Sequence, residues 1–151
     1  MTQLSNHFTL DEATYSETAV RNHIDNQPNE QQLQNMKIAA EHLEMVREVT
    51  GALRVNSWLR LPAVNEAVGG SKVSSHMDGW AIDCSSSTHS PLELCRLVKN
   101  AGIKFDQMIL EYGRWMHISF APEMRQQELT IYKPEGKYKP GILTEAEYHA
   151  A

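Results

Sequence analysis

The stretch QMILEYGRWMHISF, residues 107–120, decides the architecture of this 151-residue chain. Two apolar runs, 107–111 and 115–120, flank Tyr112-Gly113-Arg114, and a short glycine-containing connection between such runs is the signature of an antiparallel hairpin. Strands therefore occupy the back of the chain. Upstream, WAIDC at 80–84 reads as a buried strand, and Leu53, Val55 and Ser57 alternate with Arg54, Asn56 and Trp58 in the period-two manner of another. Residues 128–132 suit a final strand.

The front of the chain is helical. Thr9 and Glu12 have the spacing of a capping box that opens a short helix over 10–14, and Ser16 opens another reaching about 22. Pro28 stands at the first position of the longest helix, 29–50, where Leu33, Met36, Ala40, Leu43 and Val46 recur at spacings of three and four before Gly51 ends it. A helix over 62–68 stops at Gly69-Gly70, and Ser90-Pro91-Leu92-Glu93 caps one that runs to Ala101, where Gly102 ends it. Helices first and strands last, without regular strand–helix–strand alternation, predict an α+β fold: a small antiparallel sheet with N-terminal helices packed on it. The expected organisation is one domain over 1–132 and a polar, Pro/Gly-rich C-terminal tail, 133–151, loosely held.

Fourteen Lys+Arg against nineteen Asp+Glu leave a net charge of −5, which argues against a nucleic-acid partner, because phosphate binding rests on basic side chains. With 41% hydrophobic and 22% charged residues the chain is globular in composition, which excludes wholesale disorder. No run approaches the roughly 18–20 apolar residues of a bilayer span, and MTQLSNHFTLDEATYSE lacks the parts of a secretory signal. A product made in the cytoplasm, without membrane insertion, is expected. Cys84 and Cys95 are too few for a disulfide framework and read as reduced, buried thiols, with Cys84 close enough to Asp83 to line a site.

Three side chains of metal-binding type lie on or beside strands: His76 at the end of a polar loop, Asp83 seven residues later, and His117 in the second hairpin strand. Two imidazoles and a carboxylate leave a fourth tetrahedral position open for water, as catalytic zinc sites do. Spacing alone leaves blander alternatives open, since a histidine inside WMHISF suits a satisfied core residue and a buried aspartate a structural hydrogen-bonding role. The other five histidines have no partner at ligand spacing. Gly69-Gly70-Ser71-Lys72 lacks the spacing of a phosphate loop and reads as a turn.

The segment Ser74-Ser75-His76-Met77-Asp78-Gly79-Trp80-Ala81-Ile82-Asp83 resembles the S-x-H-x-x-G-x-A-x-D signature of the zinc D-alanyl-D-alanine carboxypeptidase family. That family includes phage L-alanyl-D-glutamate endopeptidases and D-alanyl-D-alanine dipeptidases, and shares its fold with the hedgehog signalling domain. VNSWLR at 55–60 with VNEAVGGS at 64–71 is similar to its strand, arginine turn and asparagine-bearing helix. FDQMILE at 105–111 with WMHIS at 115–119 is similar to its last strand pair, so the likeness covers about residues 4–120. The resemblance implies a hedgehog-like fold, Zn²⁺ held by His76, Asp83 and His117, Arg60 binding substrate and steadying the oxyanion, and a Ser74 hydroxyl near the substrate. Trp115 suits either a wall of the substrate cleft or packing on the sheet. The implied function is a zinc metallopeptidase that hydrolyses an amide bond in the peptide stem of bacterial peptidoglycan, as a carboxypeptidase or an endopeptidase. A phage or prophage-type cell-wall-degrading protein, acting on the wall after release, fits this reading; the alternative is a non-catalytic zinc-containing binding domain of the same fold.

Peptide hydrolysis needs a general base, and Glu111 is the candidate. A three-residue connection over 113–115 sets Glu111 directly across from His117 on one face, whereas a two-residue Gly113-Arg114 turn puts it opposite Met116 on the other. Asp78 is the alternative carboxylate, better suited to capping the loop. The sequence departs from the family pattern at Arg114, three residues before the last ligand, where many members carry an acid or a second histidine.

Overall fold

The computed structural model describes residues 2–151. Local capping sets the helices. Thr9 and Glu12 close their capping box on α1 (Leu10–Thr14), Ser16 caps α2 (Glu17–Arg21), and Asn29 with Gln32 caps α3 (Glu30–Thr50), which Gly51 ends. Pro28 thus lies one residue ahead of the cap of α3 rather than inside its first turn, because the Asn29 side chain accepts from the Gln32 N–H. After β1 (Arg54–Ser57) come α4 (Pro62–Ala67), a 3₁₀ turn (Ser75–Asp78), β2 (Ala81–Ser85), α5 (Pro91–Asn100), β3 (Gln107–Glu111) and β4 (Trp115–Ser119). The chain continues as β5 (Gln127–Ile131), β6 (Lys139–Pro140) and α6 (Glu145–Ala150).

Six strands form one sheet in the order β1-β2-β4-β3-β5-β6. The sheet is mostly antiparallel, as the sequence leads one to expect, with β5 alone running parallel to its neighbour β3. The cause is the loop 120–126. Leaving β4 beside the start of β3, the chain passes around that start and returns on its far side, held by Arg125 Nε to Asp106 Oδ1 at 2.9 Å and the Gln126 N–H to the Phe105 carbonyl at 3.0 Å.

Period-two alternation gives the sheet two unlike faces. Ile82, Cys84, Met108, Leu110, Met116 and Ile118 point to one face and are fully buried in a core they share with Met36, Leu43 and Val46 of α3 and Leu94 and Val98 of α5. Each such side chain contributes about 1.5–3 kcal/mol relative to exposure, so this face is fixed in register. Asp83, Glu111 and His117 fall on the other face by the same alternation. Cys84 therefore lines no site: its thiol lies in the core near the Met116 carbonyl, pushed up by burial, while Cys95 is raised to about 12 by the same cause, and both cysteines are free.

The C-terminal segment is not a loose tail. β6 pairs with β5, and α6 carries a complete Thr144–Glu147 capping box. Tyr148 is fully buried, its hydroxyl donating to the Lys137 carbonyl at 2.7 Å and accepting from the Lys137 N–H at 3.1 Å. A single large aromatic ring anchors this segment, which its polar surroundings in sequence conceal.

Candidate metal centre

His76 sits in the 3₁₀ turn that feeds β2, and the turn is bound to its surroundings through the backbone. The Ser74 hydroxyl accepts from the His76 N–H at 3.2 Å, the Arg60 N–H donates to the His76 carbonyl at 3.0 Å, and the Gln32 and Asn35 amides of α3 donate to the carbonyls of Met77 and Asp78, each at 3.0 Å. Gly79 ends the turn at φ +85°, and a Cβ there would lie 2.6 Å from Met36 Cγ. Left-handed backbone and close approach to α3 together require glycine. Its carbonyl accepts from the buried Trp58 indole at 2.8 Å, so the turn is fixed against the core before any ligand arrives.

Asp83 and His117 face each other directly across β2 and β4. His76, Asp83 and His117 are buried, and one ligand atom from each lies within 4.8 Å of the others. Asp83 Oδ1 is the hub, 3.2 Å from His76 Nε2 and 2.9 Å from His117 Nδ1. His76 Nδ1 lies 2.7 Å from the Trp58 carbonyl, and because a carbonyl only accepts, the proton belongs on Nδ1. The lone pair of Nε2 then points at a carboxylate oxygen, two acceptors face to face. Burial holds His76 below its ordinary pKa, so a second proton does not relieve the conflict; a cation between the two atoms does. Against the rise that burial alone would cause, contact with the imidazoles of His76 and His117 holds Asp83 well below the usual carboxylate range, in the ionised form a metal requires. For His117, the hydrogen bond and charge of Asp83 outweigh burial and raise its pKa, so positive charge at Nδ1 is favoured. The donor set fits a divalent ion of the zinc type, and the carbonyl bond from His76 is the outer support such ligands have.

Glu111 lies beside these ligands, its Oε1 3.5 Å from His117 Nδ1. The hairpin loop is Tyr112-Gly113-Arg114, so Glu111 pairs with Trp115 and it is Ile109 that stands opposite His117. Glu111 thus stands two residue pairs along the ladder from direct opposition to His117, and keeps the same face as a diagonal neighbour. Burial and then the charge of Asp83 raise its carboxyl above the ordinary range, more than His117, Trp115 and Arg60 lower it. Asp78 is exposed and lines none of this cleft.

A cleft of about 490 Å³ is lined by two of the ligands, Asp83 and His117, and by Arg60, Ser74, Glu111 and Trp115, while His76, almost fully buried, is not part of its lining. Arg60 Nε is buried without a hydrogen-bond partner, while the guanidinium acts electrostatically on His76, Glu111 and His117. An orphaned donor beside the ligands is one that the fold itself does not use. The Trp115 indole N–H is likewise buried beside Glu111 without closing a hydrogen bond. Gly69-Gly70-Ser71, Arg125 and Tyr138 also line the cleft, none foreseen from sequence. Tyr138 comes from the segment read as a tail, and nothing in its own neighbourhood of charged and Pro/Gly residues signals the contact.

No curated protein matches the chain. A family model described as Peptidase M15 matches residues 6–119, which contain all three ligands, Glu111 and Arg60. With a match over most of its length and a buried His-Asp-His group shaped for a metal ion, the chain belongs to the Peptidase M15 family, whose peptidases depend on zinc.

Proposed function

We propose that the protein hydrolyses an amide bond in the peptide stem of bacterial peptidoglycan, as a carboxypeptidase or an endopeptidase of the phage or prophage cell-wall-degrading type. One observation supports it above the rest: Asp83 and His117, an acid of raised pKa and an unpartnered arginine line a single cleft, with His76 3.2 Å from Asp83. Zn²⁺ held by His76, Asp83 and His117 supplies Lewis acidity toward a scissile carbonyl and acidifies water. Glu111, on the ligand face, accepts a proton from the attacking water and returns it to the leaving amine, a sequence that a carboxyl shifted toward neutrality performs in both directions. Arg60 offers fixed positive charge where the oxyanion develops, and Ser74 and Trp115 contact the peptide from the cleft walls.

The test is digestion of purified sacculi by the zinc-loaded protein, with mass spectrometry of the released muropeptides. Loss of a terminal D-alanine marks a carboxypeptidase, and release of the stem from L-alanine marks an endopeptidase. No product at one zinc per chain would sink the proposal and leave a zinc-containing binding domain.

A further inference from the structure

A second pocket, of about 370 Å³, adjoins the cleft, with Tyr112 and Trp115 as shared walls. Arg114, Tyr132, Lys133 and Glu145 complete its lining, and the last three lie beyond the residues that the family model matches. The pocket is built from the hairpin loop upward. Gly113 at φ +64° carries no side chain, and a Cβ there would lie 3.1 Å from the Tyr132 hydroxyl, so glycine lets that ring approach the loop. Tyr112 and Trp115 meet edge to face at 5.9 Å, and the Lys133 ammonium lies 5.6 Å from the centre of the Tyr112 ring.

Its charge is one-sided. Among the described residues, no carboxylate lies within 4.0 Å of Arg114 or Lys133. The one acid of the lining, Glu145, is engaged by His149 Nε2 at 3.4 Å. Two free cations therefore face three aromatic rings, in a chain whose net charge is −5. A guanidinium and an ammonium bind a carboxylate through charge-assisted hydrogen bonds, and rings beside them cover the aliphatic carbons that carry it.

We propose that this pocket is a substrate subsite for a free carboxylate of the peptide whose amide is cut next door, with Arg114 and Lys133 holding the carboxylate and Tyr112, Trp115 and Tyr132 its aliphatic frame. The proposal rests on the peptidase reading and narrows its substrate to an acidic peptide that extends past the scissile bond across the Tyr112–Trp115 wall.

The test is calorimetric binding to the zinc-loaded 151-residue protein carrying Glu111→Gln, which slows turnover by about 10²–10⁴. The probes are a synthetic stem pentapeptide and the same peptide with its carboxylates capped as amides. The acid form is expected to bind roughly tenfold tighter, and adding Arg114→Gln with Lys133→Gln is expected to reduce that preference about tenfold. Among the described residues neither side chain has a salt-bridge partner to lose, and circular dichroism checks the fold. Equal binding of the two peptides, or a preference that survives the double substitution, overturns the subsite and leaves the peptidase. If neither peptide binds, the peptide reading itself fails and takes the subsite with it.

Discussion

Replacing Glu111 by Gln separates catalysis from folding in opposite directions. Gln keeps the side chain's length and removes the proton acceptor 3.5 Å from His117 Nδ1. General acid–base catalysis contributes about 10²–10⁴ in rate, or roughly 3–5 kcal/mol at about 1.4 kcal/mol per decade. Hydrolysis of a stem peptide should fall by that factor at unchanged zinc content. The stability of the metal-free protein should move the other way. Burial and the charge of Asp83 raise the folded-state pKa of Glu111, so the folded state favours the neutral acid and loses stability as pH rises through the raised value. Gln imitates the neutral acid at every pH, and the metal-free variant should therefore melt above the parent protein at neutral pH and match it in acid. Steady-state rates normalised to bound zinc, with melting curves at two pH values, read both arms. A variant that hydrolyses at the parent rate with zinc bound refutes the base assignment, and one that melts lower at neutral pH refutes the electrostatic account.

Four further outcomes follow from the same geometry. His117→Ala removes a buried ligand, so zinc content measured by atomic emission should fall from about one per chain to near zero, and hydrolysis with it. Arg60→Ala should lower kcat by about 10²–10³, the cost of losing an oxyanion donor, with little change in Tm because Arg60 Nε bonds to nothing in the fold. In the metal-free protein the Glu111 carboxyl should titrate above the ordinary carboxylate range, read by NMR of the labelled carboxyl, and titration at or below that range refutes the electrostatic account. Tyr148→Ala should cost about 3–5 kcal/mol, seen as a lower midpoint in urea, since the ring is fully buried and its hydroxyl bonds twice to Lys137.

The elements that the sequence reveals are those whose signals are local. Thr9 with Glu12, and Ser90 with Glu93, set helix starts through hydrogen bonds three residues apart, and Gly51 and Gly102 stop helices where the backbone turns left-handed. The ligand turn is legible for a similar reason, because Gly79 and the spacing from His76 to Asp83 record a bend and a strand. What stays hidden depends on distant contacts. The parallel pairing of β5 with β3 is settled by Arg125 reaching Asp106, and α6, with only six residues, stands on the burial of Tyr148 rather than on helix propensity. The Thr144–Glu147 capping box was the one local sign of α6, and its six-residue length and polar neighbours masked it.

The hairpin shows why a site can be read correctly in face while its pairing is misread. Side chains alternate along a strand, so any connection with an odd number of residues puts Glu111 and His117 on the same face, and any even one separates them. The loop spans Tyr112 to Arg114, not 113–115, which moves the partner of His117 from Glu111 to Ile109 and leaves the parity intact. The diagonal placement also suits the chemistry better. Direct opposition belongs to Asp83, which needs the closest approach to His117 in order to share a cation with it, at 2.9 Å. Glu111, at 3.5 Å, is near enough to feel the charge of Asp83 yet stands to one side of the ligand pair, where a base can reach water without competing for the ion. Parity keeps Glu111 on the ligand face, and its offset along the ladder holds it apart from the Asp83–His117 pair, as the proposed base requires.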